Sequence, residues 1–251
     1  MLKTNKYRLY PNNEQIMIIN KTFGCVRFVY NKMLKFQQDM YSQTLESFSK
    51  YDCNNWCNHV FKEEYPWLRE IDKFSLTNAI YNLDNAYRKF FKEDSGFPKF
   101  KSKKNNHESY TTNYTNNNIV VDYDNNYIKL PKLGLVKAKV HRILNGKIKN
   151  ATISRAPSGK YFVSVTYECN NNDVLPITNK QIGIDLGIKD LVITSDGVKY
   201  ENPHTLKYYQ SRLKKLQRKL SKKKKGSNNY NKFKKKIAIC HEKITNIRKD
   251  N

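Results

Sequence analysis

Near residue 108 the hydrophobic period of this chain changes from 3.6 to 2, and this change constrains the fold more than any other feature. Before it, apolar residues recur by threes and fours, which draws one stripe along a helix; after it they alternate, which gives a strand one apolar face. The clearest helix covers about 73–92, where Leu76, Ile80, Leu83, Tyr87 and Phe90 make a single stripe. Beyond it, strands are predicted at Ser109–Thr112, Asn118–Asp122, Tyr127–Leu130, Leu135–Arg142, Lys147–Ser154 and Tyr161–Glu168. Turn signals separate several of them: Asp124-Asn125-Asn126, Asn145-Gly146 and Pro157-Ser158-Gly159. Short strands at this spacing predict a small antiparallel barrel, and the class as a whole is α+β.

The N-terminal part opens with a strand over 3–10, closed by Pro11. Asn12 and Gln15 have capping-box spacing. Ile16, Ile19 and Phe23 then predict a short helix that Gly24 ends. Val26, Val29, Tyr30, Met33, Gln37 and Met40 predict a second helix, to about Tyr41. Two helices across a glycine are compatible with a helix-turn-helix and equally with a plain helical hairpin. A further helix is expected in 52–64. Cys53, Cys57 and His59 fall within it, but C-x3-C-x-H without a second pair reads as a helix face, not a zinc site. Next comes Gly96-Phe97-Pro98-Lys99-Phe100-Lys101-Ser102-Lys103-Lys104, in which lysines interleave with rings, a pattern suited to phosphates and bases.

The stretch Asn170–Pro176 reads as a linker. After it, Gln181 to Thr194 reads as a buried strand, a turn and a second strand, with Asp185 where the first strand ends. An acid there needs compensation; a divalent cation would supply it, and so would a turn capped by the Asp itself. Asp190, Asp196 and Glu201 read as loop and turn acids. Two heptad-like seams follow: Leu206, Tyr209, Leu213, Leu216 and Leu220, then Phe233, Ile237, Cys240, Ile244 and Ile247. They predict an antiparallel helical hairpin. Residues 204–251 carry 17 Lys and Arg against two acids, Glu242 and Asp250, so this hairpin holds most of the chain's excess charge.

Over all 251 residues the balance is 47 Lys and Arg against 22 Asp and Glu, a net charge of +25. Such a surplus is far from that of a neutral enzyme and points to a polyanionic partner; with 13% aromatic residues it favours a nucleic acid. No apolar run is long enough to span a membrane, and no basic amphipathic helix has a broad greasy face, so no membrane partner is expected. With no apolar leader at the N-terminus, the expected place is the cytosol. Five scattered cysteines are expected as reduced thiols.

Taken in order, four blocks resemble the TnpB (OrfB-type) family carried by bacterial insertion sequences. They are Tyr7-Arg8-Leu9-Tyr10-Pro11 with its helices; Ala86-Tyr87-Arg88-Lys89-Phe90-Phe91 with Gly96–Lys103; Gly183-Ile184-Asp185-Leu186-Gly187-Ile188-Lys189; and the basic hairpin from Lys219 to Ile244. The resemblance implies an RNA-guided DNA endonuclease, with a guide RNA and a double-stranded DNA target as partners. It implies a wedge-like barrel from 1–10 plus 105–170, a helical recognition insert at 11–104, and a partial RuvC module of RNase H-like fold at 178–251. Asp185 would be the first RuvC carboxylate, and Mg²⁺ the metal of the intact family. Lys99, Lys101, Lys103, Lys104, Arg212, Lys214, Lys215, Arg218, Lys219, Lys222, Lys223, Lys224 and Lys225 are the expected phosphate contacts. Ser75, Asn78 and Asn82 are candidates for reading the motif beside the target.

The family pattern also has a later Glu, a final Asp and, between them, a four-cysteine zinc ribbon. After Pro203 these 251 residues offer only Glu242 and Asp250, and no CxxC pair. The expectation is thus a C-terminally truncated member that binds without cutting, with a vestigial Asp185 and no zinc. A natural nuclease-dead repressor and a guide-independent helix-turn-helix protein are the alternatives. The latter would use Arg27, Asn31, Lys32, Lys35 and Gln38 in a groove.

Overall fold

The computed structural model describes residues 1–104, 108–169, 178–179, 181–202 and 205–250. It divides into two compact units: Met1–Ala156 with Lys160–Asn171, and Pro157–Gly159 with Asn172–Asn251. The expected linker at Asn170–Pro176 lies outside the described residues.

In the first unit, β1 (Leu2–Tyr10) leads into α1 (Asn13–Thr44). The Asn12–Gln15 capping box forms in both directions: Asn12 Oδ1 accepts from the Gln15 amide at 2.8 Å, and Gln15 Oε1 accepts from the Asn12 amide at 3.0 Å. The helix then runs unbroken through Gly24 until Leu45 turns it off in a left-handed conformation. Two helices across a glycine were expected; there is one. A mid-helix glycine costs only about 1 kcal/mol relative to alanine. Burial of Ile19, Phe23 and Val26 around it, and of Val29 and Met33 beyond, outweighs that at roughly 1.5–3 kcal/mol per large side chain.

After α1, α2 (Lys50–Trp56) passes through one π-helical turn, Cys57–Phe61, into the single turn α3 (Lys62–Glu64). A 3-10 turn at Pro66–Glu70 precedes α4 (Lys73–Lys92), the helix expected at 73–92. Cys53 and Cys57 point into the helical core with Cys25, and burial pushes all three thiols up to about 11. His59 stays on the surface.

The strands are β2 (Glu108–Asn113), β3 (Val120–Asp122), β4 (Tyr127–Leu130), β5 (Gly134–Lys139), β6 (Lys147–Arg155) and β7 (Tyr161–Glu168). With β1 they form one seven-stranded sheet, every paired neighbour antiparallel, in the order β2-β6-β7-β1-β5-β4-β3. Its two end strands, β2 and β3, share no ladder, so the expected barrel is an open sheet. Closure fails at β3, only three residues long and reached from β2 through left-handed Asn116 and Asn117. β1 sits at the centre, pairing with β7 along eight residues and with β5 along three.

Two cores result. Alternate residues of β1, β4, β5, β6 and β7, among them Leu9, Ile128, Val136, Ile153 and Val163, meet Ile19, Phe23 and Val26 of α1 and Ala79 of α4. The later turns of α1 and α4 pack with Cys53, Cys57, Phe61 and Leu68 in a second, all-helical core. Helices and sheet therefore belong to one unit.

The second unit holds β8 (Ile184–Asp185), β9 (Asp190–Thr194) and β10 (Lys199–Glu201), in the order β10-β9-β8, then α5 (Thr205–Ser221) and α6 (Asn228–Asp250). The strand carrying Asp185 was expected to be buried. Instead Ile184, Leu186 and Ile188 are 62%, 76% and 89% exposed. β8 is two residues long and, among the described residues, pairs with β9 alone. The hairpin meets expectation: its seam residues are the covered ones, with Cys240 and Ile244 fully buried. Among the described residues no helix is long and apolar enough to cross a membrane.

Candidate nucleic-acid interface

The α5–α6 hairpin sorts its residues by chemistry. Leu213, Leu216 and Leu220 of α5 turn toward the seam, while Arg212, Lys214, Lys215, Arg218 and Lys219 stay exposed. Lys222, Lys223, Lys224 and Lys225 are exposed in the link that follows. Lys223 and Lys236 lie 5.7 and 5.2 Å from the centre of the Phe233 ring, and Lys243 lies 5.4 Å from that of Tyr209. Rings compensate cations far less than carboxylates do. Lys214 with Arg218, and Lys215 with Lys219, are like charges four residues apart, an arrangement that destabilises a helix by a few tenths of a kcal/mol per pair. A phosphate backbone laid along this face removes the repulsion.

In the first unit, the segment from Gly96 to Lys104 is fastened to α1. The Asn31 amide donates to the Lys101 carbonyl at 2.9 Å and accepts from the Lys101 amide at 2.7 Å. Pro98 is buried, while Lys99, Phe100, Lys103 and Lys104 face solvent. Lys101 behaves differently. Its ammonium sits 4.0 Å from the centre of the Tyr30 ring, and the desolvation there lowers its pKa, although its stem keeps exposed surface. Of these lysines, then, Lys101 is an anchor.

A groove of about 640 Å³ along α1 is lined by Lys21, Arg27, Asn31, Lys32 and Lys35, with Phe28 and Trp67. Most of its charge is already matched: Lys21 by Glu70, Arg27 by Glu108 at 3.6 Å, Lys35 by Asp39 at 2.7 Å. Asn31 is held by the Lys101 backbone. Lys32 lies over the Tyr65 ring, and its hydrogen bond to Tyr65 raises its pKa. The set expected to probe a groove as a helix-turn-helix is therefore largely occupied within the protein, and its helix has no turn before it.

The flanking-motif candidates separate likewise. Ser75 is 1% exposed, its hydroxyl donates to the Asp72 carbonyl at 2.6 Å, and its amide completes the α4 cap. Asn78 donates to the carbonyls of Phe74 and Thr111 and to Asn113 Oδ1, at 2.9, 3.0 and 3.1 Å, tying α4 to β2. Both side chains are engaged within the fold, which sequence spacing alone does not show. Asn82 alone is exposed.

One surface escaped the sequence reading. On the open face of the sheet, Lys6, Arg8 and Tyr10 alternate along β1, with Phe162 opposite Arg8 and with Lys139 and Lys137 opposite Arg8 and Tyr10. The Lys6 and Arg8 cationic groups lie 4.5 and 5.1 Å from the Phe162 ring centre. The signal was present: basic residues at period 2 in β1 and again in β5 share a face once the strands pair.

Residues 1–46 match the "Helix-turn-helix domain" model of OrfB from IS605-type elements, and residues 164–251 match its "Probable transposase" model. The "Putative RNA-guided DNA endonuclease InsQ" of Escherichia coli (strain K12) is 31% identical over 99% of this chain and 61% of its own length. A "Putative RNA-guided DNA endonuclease" of Streptomyces pristinaespiralis is 34% identical over 98% of this chain and again 61% of its own. This chain belongs to the TnpB (OrfB-type) family. It spans about three fifths of the length of those relatives. A Cas12f1–sgRNA–target DNA complex is similar at a TM-score of 0.49 and 11% identity, covering 100% of this chain and 76% of that one. Over the family's helix-turn-helix region this structure has β1 and the uninterrupted α1.

A metal ion of the kind used by TnpB-type nucleases needs several converging carboxylates. Asp185 is exposed on the two-residue β8, and among the described residues no three His, Cys, Asp or Glu side chains are grouped to hold an ion. The residues present do not fit a two-metal centre, so no chemical step is assigned to one.

Proposed function

We propose that this chain is a nucleic-acid-binding member of the TnpB family that holds a guide RNA and engages double-stranded DNA without cutting it unaided. In this reading residues 1–10 plus 105–170 form a wedge-like module, 11–104 a recognition insert, and 178–251 a RuvC-like module that carries Asp185, one carboxylate of a metal site. The observation that carries the reading is the hairpin's exposed face of lysines and arginines. Its seam is already filled by its own apolar residues, so those cations are left for an external polyanion. The exposed Lys99, Lys103 and Lys104 and the Lys6–Arg8–Phe162 face extend the same chemistry to the first unit. A polyanion takes the charge, and exposed rings take bases. The cytosol is the compartment where such a partner and five reduced cysteines coexist.

The testing experiment is recovery of nucleic acid with the purified protein. RNA of one defined sequence, released by ribonuclease and not by deoxyribonuclease, is the expected result. Duplex DNA bound with no RNA present would favour guide-independent binding and overturn the proposal. The Asp185 surroundings favour binding without scission: incubation with guide, target and Mg²⁺ is expected to leave both strands intact.

A further inference from the structure

On the open face of the seven-stranded sheet, pairing lines up side chains of neighbouring strands in rows. In one row Lys137 of β5 lies between Tyr10 of β1 and Tyr127 of β4, since it is the partner of both. In the next, Lys139 of β5 faces Arg8, and Arg8 faces Phe162 of β7. Lys6 and Ser164 share a third. Tyr10 is 49% exposed, and Lys6, Lys137 and Lys139 are exposed with it. The Arg8 guanidinium is held in place: it donates to the Tyr161 carbonyl at 3.0 Å and stands 5.1 Å from the centre of the Phe162 ring and 5.3 Å from that of Tyr10. Asp122, opposite Tyr127 at the β3 end of the first row, already accepts from the backbone and side-chain amides of Asn125, both at 3.0 Å. Lys6, Lys137 and Lys139 are thus the cations this face offers to a ligand.

Their spacing and company say which ligand. Neighbouring strands lie about 4.8 Å apart, so Tyr10 and Tyr127 stand roughly 10 Å apart with Lys137 between them. A lysine between two rings matches a phosphate between two bases. A duplex keeps its bases inside and has no use for the tyrosines; a single strand has base faces to lay on them. Ser154 and Ser164, opposite Phe162 and Lys6, add hydroxyls that can donate to or accept from a ribose 2′-OH.

We propose that this face binds an unpaired RNA segment crossing β1, β5 and β4, with one base on Tyr10, the next on Tyr127, and phosphates on Lys137, Lys139 and Lys6. The inference rests on the proposed nucleic-acid binding and assigns single-stranded RNA a place in the first unit.

The test uses the full chain with labelled oligouridine, oligodeoxyuridine of equal length, and oligouridine paired to oligoadenosine. Fluorescence anisotropy is expected to show oligouridine bound about two- to tenfold more tightly than oligodeoxyuridine, the range of one hydrogen bond. Tyr10→Ala is expected to weaken oligouridine binding about tenfold, the effect of one lost stacking platform, and to leave duplex binding unchanged. Tyr10→Phe keeps the ring and is expected to bind as wild type does. Lys137→Gln is expected to lower the salt slope on oligouridine by about 0.7. Unchanged melting temperatures verify that these variants fold. A further measurement needs no substitution: 4-thiouridine placed within the oligouridine and irradiated is expected to crosslink to peptides holding Tyr10 or Tyr127. Crosslinks confined to residues 205–250, equal losses on single strand and duplex with Tyr10→Ala, or oligodeoxyuridine bound as tightly as oligouridine would overturn the proposal and leave the broader function standing. No binding of any strand would overturn both.

Discussion

Replacing Lys214 and Lys215 together with glutamine pulls stability and binding in opposite directions. Arg218 sits four residues after Lys214, and Lys219 four after Lys215, all exposed on α5. Each like-charge pair destabilises the helix by about 0.2–0.5 kcal/mol, so the double variant gains roughly 0.4–1 kcal/mol in the absence of nucleic acid. If both cations contact phosphates, the plot of log affinity against log salt loses about 1.4 in slope on a single strand and about 1.8 on duplex DNA. Urea unfolding gives the first number, and anisotropy titrations across a series of salt concentrations give the second. Stability that falls along with binding would mean the cations hold the hairpin together, and the reasoning would be wrong. A gain in stability with an unchanged salt slope would place the phosphate face elsewhere.

Other substitutions probe single structural claims. Gly24→Ala should stabilise the protein by about 0.5–1 kcal/mol, because a Cβ there meets nothing within 4 Å and the residue is mid-helix; a loss on thermal melting would argue for a turn at Gly24. Asn31→Ala removes both bonds to the Lys101 backbone, about 1–2 kcal/mol of local anchoring, and should speed tryptic cleavage after Lys99 and Lys103. Equal cleavage rates in wild type and variant would show that the segment is held by something else. The thiols of Cys25, Cys53 and Cys57 titrate near 11 when folded, against an ordinary 9.0. Between those values the unfolded chain binds fewer protons than the folded one, so each thiol's contribution to stability is complete below about pH 9 and lost as pH rises toward 11. Unfolding midpoints that stay flat across that window in a Cys-retaining protein, relative to a triple Cys→Ala control, would contradict the burial.

What could be read beforehand divides along a physical line. Strong periodicity located α4 and β7 to the residue and the hairpin seam by its members, since Leu76, Val163 and Cys240 are buried where the pattern puts them. Gly24 was misread because a breaker's cost is local and small, whereas the packing that overrides it comes from the sheet. Closure of the sheet was misread because strand spacing sets the number of strands and leaves the pairing of the ends open. The exposure of Ile184 and Ile188 was misread for a related reason: an apolar run marks a strand that can be buried, and burial needs a second layer. Ser75 and Asn78 were legible only as polar residues on a helix, their partners being 3 to 35 positions away. The open sheet face joins Tyr10, Lys137 and Tyr127, which only the pairing of β1, β5 and β4 brings together.

The most direct measurement is a salt titration of wild-type binding to RNA and to duplex DNA in Mg²⁺, with the DNA strands then resolved on a denaturing gel. Steep loss of affinity with rising salt, together with uncut strands, is the predicted result. Affinity indifferent to salt, or cleavage that Asp185→Ala abolishes, would contradict a chain that grips phosphates without severing them.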